Sequence, residues 1–576
     1  MKLRKFKYIF LFAATLSMSS CLDLDPQDQL GGDKMWQTTD DFKNFANNFY
    51  GWTPDFSSLY EGGSISSEAY SDCWMPSKGA NVVSRGTNTL PTGDGDYTGN
   101  YDKIRRTNLL LQNAESFGNK DGIKTYVGEA YFFRAWSYFN LLRKFGDAII
   151  LTKPIDVTDP AMNSKRNDRS EVADFIVSDL QKAVEYLPEI GTDAQGRLCK
   201  ATANAFLSRV ALYEGTWQKY HKNDTERAKS LLDISAKAAE AVMNTGRYYL
   251  FGTDGASKAL GTQAYRYMFN LEDEKSNPAG VKKADNHEYI FVRHHDPTLS
   301  VIGKNITTEK VNNVELVTYN FVRLFLCQDG LPIEKSKVYK GDKNIIDEYT
   351  NRDNRMSNIL LVPGQKYWTN QKPRTSWDDN DLATALPYDG MRGSGYNNQK
   401  WGTERKISKD GQEAYDFPII RYAEVLLNYA EAVYERDGQI SDADLDKSLN
   451  LVRLRVNPDM PKLSNSLVSA NGLSMQEEIR RERTIELYDE NFRTDDLKRW
   501  NTAVQELSKP LLGIKYKGTE YEKKWVTNKP SYQLDADGRL ILDNERKWSE
   551  KNYLFPLPSD QTQLNPNIGQ NPGWGK

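Results

Sequence analysis

The sequence is poor in the residues on which most catalytic and metal chemistry is built: in 576 residues it holds four histidines and four cysteines. Cys21, Cys73, Cys199 and Cys327 lie too far apart for a zinc ribbon, a redox Cys-x-x-Cys pair or a dense disulfide framework. With Cys21 set aside, one disulfide plus a free thiol, or three buried thiols, both remain open. His287, His294 and His295 have strand-like spacing and read as an exposed pair, not a metal site. No Gly-x-Ser-x-Gly elbow, Walker loop or His-Glu-x-x-His is present. Gly393-Ser-Gly395 lacks the third glycine of a dinucleotide turn and reads as a flexible loop. Asp94-Gly-Asp96-Tyr-Thr98-Gly99 starts like a calcium loop but puts Arg105 where a bidentate Glu belongs, so it reads as a polar turn. With 79 acidic side chains, carboxylate pairs at glycosidase spacing arise by chance, and no hydrolase is inferred. The expectation is a protein with no catalytic residues, no metal and no cofactor.

Charge of one sign is also lacking. Lys and Arg number 76 against 79 Asp and Glu, which leaves no basic excess to neutralise phosphates and excludes nucleic acid as a partner. No stretch after the first twenty residues is long and apolar enough to cross a bilayer as a helix. At 39% hydrophobic and 11% aromatic, the chain still has ample material for a large packed core.

The first twenty residues carry the clearest signal. A basic start (Lys2, Arg4, Lys5, Lys7), an apolar stretch from Tyr8 to Leu16 and the small residues Ser17, Ser19 and Ser20 have the layout of an export signal, expected to be removed. Leu16-Ser-Met-Ser-Ser-Cys21 resembles a bacterial lipobox, which would place a diacylglycerol on the Cys21 thiol. Acyl chains on one cysteine make a stable tether. Loss of the four leader cations takes the formal net charge from −3 to about −7, which suits a soluble body hanging from that tether.

Helical periodicity dominates the first half. From Thr125 to Phe145 apolar residues recur at steps of three and four and stop at Gly146. From Lys200 to Tyr213 the small residues Ala201, Ala203, Ala205, Ser208 and Ala211 imply a second helix close by. The same texture covers Ile420 to Tyr434, and a single helix is expected from about Ser474 to Trp500, with Glu477 meeting Arg481. Such helix pairs stack as tetratricopeptide repeats do, without a regular 34-residue period. Between about 250 and 415 the text turns to Gly, Asn, Asp and aromatics with brief alternation, as in Tyr289-Ile-Phe-Val-Arg293, and reads as loops and short strands. The Pro- and Asn-rich tail should run extended or in turns.

Together these motifs resemble the RagB/SusD family. Gly128-Glu-Ala-Tyr-Phe-Phe-Arg-Ala-Trp-Ser-Tyr-Phe-Asn-Leu141 followed by Phe145-Gly-Asp147 is similar to its signature helix. Ile420-Arg-Tyr-Ala-Glu-Val-Leu-Leu-Asn-Tyr-Ala-Glu431, Ile479-Arg-Arg-Glu-Arg-Thr-Ile-Glu-Leu487 and Tyr553-Leu-Phe-Pro-Leu-Pro558 follow in the family's order. Leu22-Asp-Leu-Asp-Pro26 resembles the acidic stretch that sends lipoproteins of the Bacteroidetes to the cell surface. The resemblance implies a mostly α, SusD-like fold: tetratricopeptide-like helix pairs as scaffold, a loop-rich ligand face and a few short strands. After a signal at 1–20, residues 21–576 would form one unit, with an N-terminal region at 21–220, the loop-rich region at 250–415 and a C-terminal region at 416–576. It also implies an outer-membrane lipoprotein that captures glycans at the cell surface for a SusC-like TonB-dependent transporter. Peptide or glycoprotein ligands, and a scaffold that binds no small ligand, are the alternatives. Arg134, Arg421 and Glu482 in the shared motifs read as structural ion pairs.

A sugar has apolar C–H faces and a rim of hydroxyls, so its site needs an aromatic platform beside amide, carboxylate or guanidinium groups. The loop aromatics to examine are Tyr70 and Trp74 with Asp72, and Trp368, Trp377, Tyr396 and Trp401.

Overall fold

Side chains that accept the orphan N–H groups of a first turn set where most helices of this chain begin. The computed structural model describes residues 35–56, 67–77, 79, 82–156, 158–191, 196–304, 306–307, 315–362, 393–403, 413–525 and 531–575. Within them Thr38 caps α1 (Thr39–Asn47), Asp94 caps α2 (Gly95–Ser116), Asn119 caps α3 (Lys120–Phe145) and Asp168 caps α4 (Arg169–Tyr186). Helix α5 (Lys200–Trp217) starts without a side-chain cap, and Asp224 caps α6 (Thr225–Met243). Helices α2 to α6 stack in chain order, each on its neighbour, and α7 (Tyr422–Asp437) returns from far along the chain to pack on α5 and α6. The small face of α5 permits this. A Cβ on Gly215 would lie 2.9 Å from the Leu232 side chain of α6, a separation that real Cβ atoms do not show. Aromatic rings fill the layer between α3 and α5, where Trp136 stacks on Phe206 with centroids 4.7 Å apart.

Strands β1 (Trp74–Pro76), β2 (Tyr289–Arg293), β3 (Glu315–Val317), β4 (Phe417–Arg421), β5 (Leu511–Lys515) and β6 (Arg539–Asp543) form antiparallel pairs: β1 with β3, β2 with β4, β5 with β6. These two-stranded sheets pin distant loops to the helical array. The fold is thus mostly helical with a few short strands.

Charge is the second element of the core. Arg355, Arg421, Arg453, Arg455 and Lys400 meet Glu288, Asp353, Glu482, Glu486 and Glu490 in one buried network. Arg421, at the end of β4, reaches Glu288 at 2.8 Å, Glu486 at 2.6 Å and Glu490 at 2.7 Å. Arg355 reaches Asp353 and Glu482, both at 2.6 Å. Burial alone would raise the Glu486 carboxyl, but Arg455, Arg421 and Arg355 outweigh it and hold it down at about 2. A second site of this kind joins the helix pairs: Arg134 of α3 grips both oxygens of Asp179 of α4 at 2.7 Å and Asn108 of α2 at 2.7 Å. Arg134, Arg421 and Glu482 therefore hold the frame together.

Several sequence expectations are corrected. The helix expected from Ser474 to Trp500 is two helices, α8 (Met475–Glu486) and α9 (Arg493–Arg499). Between them Asp489 and Asn491 take positive φ of 57° and 66°. The break lets the carbonyls of Tyr488 and Asp489 accept from Lys400 Nζ and Trp401 Nε1. Arg481 pairs with Glu478 at 3.2 Å, one residue from the expected Glu477. Asp94 opens α2 instead of a free turn, accepting from the N–H groups of Asp96 and Tyr97. Ile420 and Arg421 belong to β4, and the helix starts one residue later. Gly393-Ser-Gly395 is packed: a Cβ on Gly395 (φ 84°) would lie 2.5 Å from Ile514, and Ser394 accepts the Ile514 N–H at 2.8 Å. The tail includes the short helix Ser559–Leu564 and a tighter 3-10 turn at Pro566–Ile568. The histidines are split: His294 is half-exposed beside Asp416, whereas His295 is buried against Asp55 at 3.0 Å. Cys73, Cys199 and Cys327 are free, buried thiols.

Two measurements follow from these buried charges. Glu486→Ala leaves buried guanidinium groups uncompensated and should lower the unfolding free energy by about 3–5 kcal/mol in guanidinium titrations; a loss below about 1 kcal/mol would show that the network does not control stability. Glu68, buried just ahead of β1, accepts the Arg493 N–H at 3.0 Å, and burial pushes its carboxyl up to about 8. From the ordinary carboxyl range up to pH 8 the unfolded chain releases this proton while the folded one keeps it, so stability falls as pH rises across that window. Glu68→Gln should flatten this slope in denaturation midpoints between pH 5 and 8, and equal slopes would refute the assignment.

Candidate functional site

The base of the loop-rich face is a cluster of rings and backbone anchors. Phe56 meets Trp401, Tyr415 and Phe417 edge-on at 5.4, 5.3 and 5.1 Å. Thr403 donates its N–H to Thr307 Oγ1 at 2.9 Å, and Thr307 donates its own to Glu413 at 3.0 Å.

Against this base the sequence-chosen aromatics can be placed. Trp401 is 1% exposed, stacks on Phe417 at 5.9 Å and donates to the Asp489 carbonyl at 3.3 Å. Tyr396 is wholly buried, its hydroxyl donating to Glu348 at 2.7 Å. Trp74 is wholly buried in β1 opposite Val317. Asp72 is buried and bonded through both oxygens to Arg493 at 2.8 Å. These four are buried within the frame and form no exposed platform. Tyr70 is only half-buried, tilted against Phe555 with centroids 6.3 Å apart. Trp368, Trp377 and Cys21 lie outside the described residues.

Tyr70 lines a cleft of about 460 Å³ to which residues 51–55, α2, α3, α5, β4 and the start of α9 all contribute. Its aromatic wall includes half-buried Trp52, braced on Phe49 at 4.7 Å, together with Trp136, Phe139 and Phe492. Polar groups stand among the rings. Arg143 binds Asp495 and donates to Asn140 at 2.9 Å, and Lys144 bridges Asp94 at 2.8 Å and Asp96 at 2.7 Å. Lys498 is buried, donates to the Arg143 carbonyl at 3.0 Å, and is lowered to about 8 by burial. The Asp55 and Glu490 carboxyls sit below their ordinary values: burial opposes this, but His295 and Arg293 beside Asp55, and Arg421 and Lys400 beside Glu490, outweigh it. Neither is a proton donor at neutral pH. Flat apolar faces beside fixed amide, guanidinium and carboxylate groups match the two surfaces of a sugar.

Sequence reasoning missed most of this cleft. Asn100, Lys103 and Arg143 are scattered polar positions on helices and carry no local signal. Phe49-Tyr-Gly-Trp52-Thr-Pro54 is a ring-bearing, Gly- and Pro-punctuated turn of the same kind as the one around Tyr70, and could have been found. Among the described residues no group of three or more His, Cys, Asp or Glu could hold a metal ion, and no helix is long and apolar enough to cross a membrane.

Comparison with known proteins adds a lineage to this geometry. The SusD-like protein P2 of Formosa agariphila is 23% identical over 495 residues, covering 82% of this chain and 79% of that one. A SusD-like protein of Bacteroides fragilis superposes with a TM-score of 0.70 at 23% identity, over 96% of this chain and all of that one. A SusD-like carbohydrate-binding protein, also of Bacteroides fragilis, gives 0.69 at 20% identity, over 92% and 99%. A family model described as starch-binding and associating with the outer membrane matches residues 31–212. The SusD family model matches residues 266–574, more than half of the sequence and the region holding β2 to β6 and the buried ion network: the chain belongs to the SusD family.

Proposed function

We propose that this protein is a cell-surface lipoprotein that captures glycans in the cleft bordered by Trp52 and Tyr70 and passes them to a SusC-like TonB-dependent transporter in the outer membrane. The observation that carries the reading is the cleft itself, where half-buried rings and fixed hydrogen-bonding groups line a space of about 460 Å³. The family model's description as starch-binding and outer-membrane-associated supports it. The lipobox at Cys21 supplies the tether. The role is binding without turnover: a glycosidase needs a carboxyl kept protonated near neutral pH, whereas Asp55 and Glu490 are held ionised and Glu68 is wholly buried away from the cleft.

Isothermal calorimetry with maltoheptaose, xylogluco-oligosaccharides and acidic oligosaccharides tests this. Saturable binding is expected, weakened about thirty-fold by Trp52→Ala, for the loss of about 2 kcal/mol typical of a central aromatic contact. Silence across the panel, or reducing-sugar release by the purified protein, would refute the reading. In cells, Cys21→Ala should move the protein out of the membrane fraction.

A further inference from the structure

Resting on that capture reading, we infer that the cleft selects acidic glycans, with Lys103, Arg143 and Tyr213 reading a carboxylate or sulfate on the sugar. Among the described residues eight cationic side chains line the cleft against five carboxylates, although the whole chain carries a formal net charge of −3.

Seven of these cations are paired: Lys144 with Asp94 and Asp96, Arg209 with Glu424, Arg483 and Arg499 with Glu431 and Asp496, Arg293 with Asp55, and Arg143 and Lys498 with Asp495. Lys103 is the exception. Lys103, on the cleft side of α2, makes no ion pair among the described residues, and burial lowers its ammonium below the ordinary lysine value. Asp96 and Asp102 favour its charged form without forming an ion pair with it, and a partly desolvated cation with no contacting counter-ion gains from an anionic partner. Further along α3, Arg143 lies over the Phe139 ring at 5.1 Å, and Phe139 meets Tyr213 edge-on at 5.5 Å, so guanidinium and phenol are neighbours. Arg143 Nε and Tyr213 Oη are buried donors without a hydrogen-bond partner, and Tyr213 is 4% exposed. Trp548 Nε1 is a third such donor lining the cleft. The carboxylates beside Tyr213 are already engaged, Asp495 by Arg143 and by Lys498 at 3.9 Å and Glu214 by Arg169 at 2.8 Å. An acceptor-rich, negatively charged group completes this set; a neutral sugar hydroxyl leaves Lys103 uncompensated.

Calorimetry would compare tetragalacturonate and a chondroitin sulfate hexasaccharide with maltoheptaose and a xylogluco-heptasaccharide, at 50 mM and 300 mM NaCl. At least one acidic probe should bind ten-fold or more tighter than both neutral ones at low salt, with the advantage shrinking at high salt. The uronate and sulfate arms identify which anion is read. Lys103→Gln and Tyr213→Phe should each remove most of that preference without lowering the melting temperature by more than a few degrees, while Lys237→Gln, on the exposed face of α6, leaves it intact. Tighter or equal binding of the neutral probes would overturn the inference and leave glycan capture standing. A preference that survives in the Lys103→Gln/Tyr213→Phe double variant would also overturn it, and failure of all four probes to bind would sink both.

Discussion

The buried ion network around Arg421 and Glu486 is the constraint on which the rest of the structure depends. It joins β4, α8, the residue before β2, the turn around Asp353 and the loop at Lys400, segments far apart in sequence. Charges taken out of water are costly unless each finds a partner at close range. Each of these segments is therefore held in one position relative to the others. Apolar packing could have joined the same elements with less positional demand. Two carboxylates of the ion network, Glu486 and Glu490, stand at the break between α8 and α9 and fix the chain there through Arg421.

That break shapes the functional face. By turning the chain at Asp489 and Asn491, it carries Phe492, Thr494 and Asp495 to the cleft and lets Lys400 and Trp401 dock on the exposed carbonyls. The same docking closes the base of the loop-rich face, where Trp401, Phe417 and Phe56 form a ring cluster. Frame and site thus share residues: Arg421 anchors Glu490, and Glu490 lines the cleft. A cleft fixed by ion pairs is preorganised and loses little freedom when a ligand binds.

The helical scaffold was legible because amphipathic spacing is local. The stretches around Phe139, Ala205 and Ala430 each declare a buried face at three- and four-residue steps, and all lie in α3, α5 and α7. The structural roles of Arg134, Arg421 and Glu482 were legible because charges within the shared scaffold motifs, once buried, require partners. The exposure of Trp74, Tyr396 and Trp401 was not. Aromatics in Gly- and Asn-rich text are read as surface groups, yet here long-range partners, Val317 for Trp74, Glu348 for Tyr396 and Asp489 for Trp401, draw them inside.

The sequence by itself determined the helical stretches and the ordered motifs of the family, since each is written in spacing along a few turns or residues. Tertiary structure alone decided where the cleft lies. Trp52, Lys103, Arg143, Tyr213 and Asp495 come from separate elements, and only the stacking of α2, α3 and α5 with the turn before α9 brings them around one space. Concavity and the balance of charge within it are properties of neighbours in space, which no one-dimensional pattern encodes.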